Sequence, residues 1–511
     1  MARQQNFAED GDLFNKLPDS IVHHILCLLD LKDRSRLSCV SRRYRELCIS
    51  APWVTLNNTD LTPRRFLSNN FVDRPNLTRR FLFNNFVDRL LSLRSWHGVK
   101  IQNFILQWDF GELFEEEAYR IDTWLYHVVN LGVQKIAFQL TTQRFALPQC
   151  VLDCKSIVVL YINTNDGILK LPSTSSAAAG FGINTTLEAL VLFSVRIEGR
   201  RLFWRMAFTI QVPLGIESYK NSLQIEDDYF GEWLSHFKSL KVLILTRVSG
   251  IKSMSIHNSS IDVLEIQHCN DLVDISIFAE KLRRLHVRWY PYNNNSSGFG
   301  SLKISAPNLE NFRWVGRVVD YHCRGDFSHK LNLTIDLSLS DQLYESSTKY
   351  SLRKILHSMQ RAKVLTLRDE FVEVLFKYGC LPYSFDHLEH LAIVRMSSFE
   401  DKIPALSSFL KGTINLKRLV ILNDAKVANS MPSGKLSFKL EYWESQNLMF
   451  TNQLKIVIME LSWGSDVELM KYLLKNTKEL EEASIISSPA VPTNLIIELK
   501  KYKTPHTKLR E

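Results

Sequence analysis

A hydrophobic phrase of the form L-x-x-L-x-L returns through most of this chain, and its spacing limits the folds available. The clearest copies are Leu240–Leu245, Ile261–Ile266 and Leu282–Val287, each beginning 21 residues after the last. Alternate apolar side chains over so short a stretch make one strand with a single face to bury. One strand and its return cannot enclose that face, but stacked copies can, with their strands aligned in a parallel sheet. Looser copies stand at Val133–Leu140, Ile157–Ile162, Leu187–Leu192, Leu309–Trp314 and Leu331–Leu339. Ala362–Leu367, Leu388–Ile393, Leu416–Ile421, Leu454–Met459 and Leu480–Ile486 continue the series.

This consensus and period resemble the leucine-rich repeat. The resemblance implies an irregular α/β solenoid with a parallel β-sheet on its concave face. Later spacings stretch to between 26 and 38 residues, so the returns there should be longer and often helical. Two places break the rhythm. Val195-Arg196-Ile197-Glu198 is echoed by Leu223-Gln224-Ile225-Glu226, and excising 199–226 would restore an ordinary repeat, so that stretch reads as an insertion. Tyr290 to Gly300, YPYNNNSSGFG, has the composition of a surface loop.

The N-terminal stretch Leu17 to Trp53 has a different period and reads as two or three short helices, a helical hairpin or trihelix. Pro18 and Asp19 open a helix, and Ile21, Val22, Ile25, Leu26, Leu28 and Leu29 form an apolar stripe along it. Asp30 to Asp33 interrupts the pattern, and a second helix follows with Leu37, Val40, Tyr44, Leu47 and Cys48 on one face. So small a unit cannot bury that much apolar surface alone, and it needs the rest of the chain or a partner. Leu17-Pro18, the Ile21/Ile25/Leu26/Leu29 stripe, Leu37 to Arg43 and the closing Trp53 closely resemble the F-box, with Tyr44 where many members carry Trp. The resemblance implies docking onto the Skp-type adaptor of a cullin-based ubiquitin ligase. Leu17, Pro18, Ile21, Ile25, Leu26, Leu29 and Val40 would then form the adaptor contact.

Between helices and repeats lies a duplication. Arg64 to Arg74 recurs fifteen residues later as Arg79 to Arg89, with Phe83 replacing Ser68 as the single difference. A near-identical pair of this kind is a duplicated segment and not a period of the fold. Copy two runs on from Phe86 as a helix-like apolar pattern leading into a strand-like one, so it should carry the fold while copy one bulges. At the other end, Ser465 is placed to cap a helix with Glu468 three residues on. Glu468-Leu469, Tyr472 to Asn476 and Leu480-Glu481 look like the FBD domain of plant F-box proteins. The whole chain thus resembles the plant F-box/leucine-rich-repeat/FBD-like family. The expected layout is a disordered 1–12, an F-box at 13–56, a linker with the duplicated segment at 57–100, leucine-rich repeats at 101–439, and an α+β FBD-like unit at 440–511.

A formal charge of +9 is spread over 511 residues without Lys/Arg blocks, which favours solubility over nucleic-acid binding. No run approaches the length of a membrane span, and the N-terminus has no signal-like apolar core, so the expectation is a soluble intracellular protein of nucleus or cytoplasm. The scattered cysteines, with Cys150 and Cys154 the one close pair outside the helices, read as reduced thiols rather than a zinc site. No catalytic motif emerges, and neither metal nor cofactor is expected. Glu115-Glu116-Glu117 reads as a solvated helix face, His23-His24 as exposed, and His322-Cys323 as a neighbour pair without an orienting group.

Binding is the better prospect. Residues flanking the middle leucine of each strand face the concave side. There Arg284, His286, Arg288 and Arg313 would lie on adjacent rungs as a cationic patch for an acidic or phosphorylated client. The family resemblance implies a substrate receptor of an SCF-type ligase that performs no bond chemistry itself. A non-degradative scaffold, or a small-molecule or inositol-phosphate sensor, are the alternatives.

Overall fold

The computed structural model describes residues 17–61, 74–172, 186–198, 229–269, 271–289, 300–324, 331–338, 346–377, 379, 384–396, 399–423, 438–461, 465–487, 498–499, 501–502 and 508–510. The first copy of the duplicated segment up to Asp73, the 199–226 insertion, the loop from Tyr290 to Phe299 and Cys380 lie outside them, as do residues 1–12. The chain divides into two compact units, one of 1–214 with 236–251 and one of 215–235 with 252–511.

The first unit opens with helices α1 (Asp19–Leu28), α2 (Leu31–Val40) and α3 (Arg42–Ser50). Val22, Leu26, Tyr44 and Leu47 form their shared core. Of the two or three short helices expected there are three, because Ser41 takes an extended backbone between α2 and α3 and its hydroxyl accepts the Tyr44 N–H at 3.1 Å. Asp30 caps α2 in the same way through the Asp33 N–H at 2.7 Å.

Strands β1 (Trp53–Asn57), β2 (Asn103–Trp108), β3 (Lys135–Leu140), β4 (Arg144–Ala146), β5 (Val159–Lys170), β6 (Ala189–Ile197) and β7 (Val242–Ser249) follow. They pair in parallel in the order β1-β2-β3-β5-β6-β7, with β4 beside the end of β5. The sheet therefore starts at Trp53, well before residue 101. The stretch 57–100, expected as a linker whose second copy runs on with a helix-like apolar pattern, supplies a 24-residue helix, α4 (Arg74–His97). It packs beside α5 (Glu115–Asn130) because Phe83, Val87, Leu91 and Arg94 form a buried stripe at helical spacing.

That stripe belongs to copy two. Phe83, the one residue that differs between the copies, is fully buried and meets Trp108, Phe110 and Trp124 edge-on at 5.9, 5.9 and 6.3 Å. Arg80 of the same copy pairs with Glu117 at 2.5 Å, both buried, and also donates to the carbonyls of Phe110 and Glu112. Asp88 holds Arg120 and accepts from Trp124 Nε1 at 2.5 Å. The acidic run is thus solvated only at Glu115 and Glu116. Glu117 turns inward because Arg80 waits there without another carboxylate.

In the second unit β9 (Val263–Gln267), β11 (Arg284–Trp289), β13 (Asn311–Arg317) and β15 (Asn332–Ser338) begin a second parallel run. It continues through β16 (Val364–Arg368), β17 (His390–Met396), β18 (Arg418–Asn423), β19 (Ile456–Leu461), β20 (Glu482–Ser487) and β21 (Lys508–Arg510). Each strand of the leucine phrase starts about two residues after the phrase itself. The leading Leu282, Leu309 and Leu388 are buried in tight turns, donating to the carbonyls of Ala279, Ala306 and Phe385 at 3.1–3.3 Å.

The returns between residues 250 and 324 are strands as well. β8 (Ser253–His257), β10 (Asp274–Phe278), β12 (Ser301–Ser305) and β14 (Asp320–Cys323) form a separate parallel sheet. A 21-residue period leaves too little chain for a helix, and the alternation Met254/Ile256, Ile275/Ile277, Leu302/Ile304 suits a half-buried strand. Where the period lengthens, the returns are helical as expected: Ser346–Met359, Asp369–Lys377, Phe399–Lys411, Leu440–Gln446 and Ser465–Asn476. The start of the last is held differently from the expected capping box. Glu400 accepts from both Ser465 N and Oγ, at 3.0 and 2.6 Å, while Glu468 pairs with Lys471.

Replacing Phe83 by Ala should lower the stability of the first unit by about 3–5 kcal/mol. The neighbouring, exposed Phe81 should cost under about 0.5 kcal/mol on the same change. Urea midpoints of the two variants check the contrast.

Candidate docking surface and concave pocket

The helical N-terminus turns one side inward and leaves the other apolar and open. Of the residues proposed from the sequence for adaptor contact, Ile21 is 48% and Val40 70% exposed. Pro18 is exposed as well, and Ile25 is half-buried. Leu17 and Leu29 lean on the shared core from its edge. Leu26 differs, being 1% exposed beside Val22 and Tyr44, so its side chain supports the surface from beneath. Leu28, at 76% exposed, belongs to the outer apolar face and escaped the sequence reading as a contact residue. Arg43 ties the entry of α1 down by donating to Leu17 O at 2.6 Å and pairing with Asp19 at 2.9 Å.

In the second unit the strand register brings three of the four concave residues together. Arg284 lies level with Val263 and Asn311, and His286 lies level with Glu265 and Arg313. These residues border a cavity of about 250 Å³ that also reaches Asn332 and Thr334. Arg288 is level with Val315 and Gln267, farther along β11, and does not border that cavity. The row is more mixed than a bare cationic patch. Glu265 sits within it and accepts from Gln267 Nε2 at 3.0 Å.

His286 is the group tuned most by this setting. Burial pulls its imidazole below the ordinary 6.5, Arg313 and Arg288 pull the same way, and Glu265 opposes them. It is therefore mostly neutral at pH 7, and among the described residues its buried Nε2 has no hydrogen-bond partner. Arg284, two residues earlier on the same strand, and Arg313, level on the next strand, then supply positive charge beside an uncharged ring.

His322, read as lacking an orienting group, has one. Its Nε2 lies 2.9 Å from Asp320 Oδ2, and Lys354 Nζ lies 2.9 Å from its Nδ1. This exposed network joins β14 to the helix Ser346–Met359. His23 contacts Ser50 Oγ at 3.0 Å. Among the described residues no three His, Cys, Asp or Glu gather as a metal site, and no helix is long and apolar enough to cross a membrane.

Residues 14–53 match the F-box domain. The chain carries an F-box. Over most of its length it is also similar to F-box/FBD/LRR-repeat proteins. One putative member from Arabidopsis thaliana is 23% identical over 502 residues, covering 93% of this chain and 89% of that protein. A second from the same plant is 22% identical over 500 residues, covering 94% and 93%. The F-box/LRR-repeat protein 13 of Arabidopsis is 29% identical over 157 residues, or 30% of this chain and 31% of that one. Among solved structures, the LRR ectodomain of the plant membrane receptor kinase GASSHO1/SCHENGEN3 aligns with 81% of this chain and 48% of its own, at 13% identity and a TM-score of 0.22. The parallel-strand architecture rests on the chain's own pairing and not on that likeness. An F-box joined to leucine-rich strands supports a substrate-receptor-type role.

The sign of the His286 titration follows from its lowered value. Unfolded, the ring binds a proton near 6.5, whereas folded it resists one. Stability of the second unit is thus full above that pH and falls as pH drops below it. Two-dimensional NMR of the imidazoles should find His286 titrating below 6.5 and moving up when Arg313 is changed to Gln.

Proposed function

We propose that this chain is the substrate receptor of an SCF-type ubiquitin ligase. Its helices α1–α3 dock a Skp-type adaptor, and through it a cullin. The observation that carries this reading is the F-box match over 14–53 together with the exposure of the large apolar Ile21, Leu28 and Val40. Large apolar side chains left open on one small helical unit are the kind a partner covers. Pro18, Leu17, Ile25 and Leu29 extend the contact, and Leu26 holds it in shape from the core. The layout of domains follows the same reading: the F-box, then leucine-rich repeats from β1 onward, then the FBD-like unit from about residue 440.

The client side of the proposal lies on the concave row of the second unit. Arg284 and Arg313 would take acidic side chains or a phosphate in charge-assisted hydrogen bonds, with His286 next to both as a neutral donor or acceptor. Arg288 would meet only a client that reaches farther along β11. The chain then contributes proximity, bringing a client lysine to a ubiquitin-charged partner, and no bond is made or broken on it.

Purified adaptor offered to the full chain tests the first half. Ile21→Asp and Val40→Asp, both at exposed positions, should each weaken binding at least tenfold with an unchanged circular dichroism spectrum. Undiminished capture by the double variant would overturn the docking assignment.

A further inference from the structure

A second cavity, of about 440 Å³, lies in the first unit where α2 and α3 face β1 and α4. Its volume falls in the range of small-ligand sites, roughly 300–1,000 Å³. Ile49, Trp53, Val54, Phe86, Leu90 and Leu93 give it apolar walls. Arg34, Arg45, Arg89 and Arg94 also line it, and among the described residues no carboxylate does. The cavity is therefore greasy and positively charged at once.

Arg94 sharpens this. It is only 2% exposed, yet among the described residues it forms no ion pair. Its Nη1 donates to Ala51 O at 2.8 Å and its Nη2 to Cys48 O at 3.1 Å, both carbonyls at the end of α3. Among the described residues the buried Nε has no partner. Helix-end carbonyls offset part of a cation's charge, but they do not replace a counter-ion in so dry a setting. Burial pulls the guanidinium down to about 10, and nearby Arg34 pulls it the same way. Phe83, Val87 and Leu91 on the same stripe of α4 are apolar, so packing alone gives no reason for a cation at this step.

We propose that this cavity binds a small amphipathic carboxylate, with its apolar body against Phe86, Leu90 and Leu93 and its charge at the wall formed by Arg94 and the neighbouring arginines. Charge complementarity selects the anion, and the apolar walls exclude a bare inorganic one. Because the cavity is walled by α2 and α3 on one side and α4 on the other, an occupant would bridge the docking helices to the helix behind them. The proposal goes beyond the receptor reading and does not depend on it.

The test uses the full chain and naphthalene-2-carboxylate as the probe, with the neutral 2-naphthamide as control. Calorimetry should show one saturable site for the carboxylate and at least tenfold weaker binding of the amide. Cys39, an exposed thiol on the cavity lining, reports occupancy directly. Its alkylation by N-ethylmaleimide, followed by peptide mass spectrometry, should slow several-fold when the carboxylate is bound. Leu90→Trp fills the cavity, and Arg45→Glu reverses a charge at an exposed position. Each should weaken the carboxylate at least tenfold, and Arg45→Glu should do so with an unchanged melting temperature of the free chain. Absence of saturable binding, equal affinity for the amide, unaltered Cys39 alkylation, or an Arg45→Glu variant that binds as the parent does would each overturn the assignment.

Discussion

One carbonyl per rung governs how these strands stack. Asp262 O accepts both the Arg283 and Arg284 N–H groups, each at 3.0 Å, and Arg283 O accepts from Glu310 and Asn311 in turn. The same forked bond recurs from Lys363 O to Glu389 and His390, from Glu389 O to Lys417 and Arg418, and from Lys455 O to Glu481 and Glu482. In the first unit Gln102, Val158 and Glu188 do likewise. A parallel strand has no hairpin to set its register, so the fork at its entry does that work. Whatever stands on one rung is thereby held level with its neighbours, as Glu265, His286 and Arg313 are. The side chains at the fork follow the backbone: Glu389 lies between Lys363 and Lys417 at 3.4 and 3.3 Å.

Polar groups buried under α4 show a second constraint. Arg80 is matched by Glu117, and its guanidinium also lies over the Phe114 ring at 4.5 Å. Removing one partner of such a pair leaves a charge without water, which costs far more than the pair itself contributes. The duplication upstream could be tolerated because the copy with Phe83 keeps both the aromatic contact and this ion pair. Ser68 would offer neither the ring nor its area.

Periodic features were the legible ones. Each copy of the leucine phrase coincides with a strand, since a short apolar alternation has few other ways to be buried. The helical N-terminus and its apolar stripe were equally plain. The choice between two helices and three was not, because one hydroxyl and one extended residue at Ser41 leave almost no trace in a pattern of side-chain size. The second sheet went unread because Met254/Ile256 and Leu302/Ile304 alternate over too few residues to stand out from a turn. The helix-like pattern after the duplication does form a helix, but its place in the core was not legible, because Arg94 stands on the buried stripe of Phe83, Val87 and Leu91. For the concave residues, strand position was readable but level was not. Only register tells that Arg313 stands beside His286 and not beside Arg284.

The even ruling of those rungs has a geometric consequence for anything laid across them. Strands stand about 4.8 Å apart, so alternate rungs such as those of Glu265 and Arg313 repeat at roughly 9.6 Å. A pleated peptide returns to the same face every two residues, near 6.6 Å, and drifts out of step with that interval. A left-handed polyproline-type segment returns every three residues, at roughly 9.3 Å, and stays nearly in phase for several turns. The surface therefore acts as a ruler whose divisions match a threefold extended chain better than a twofold one.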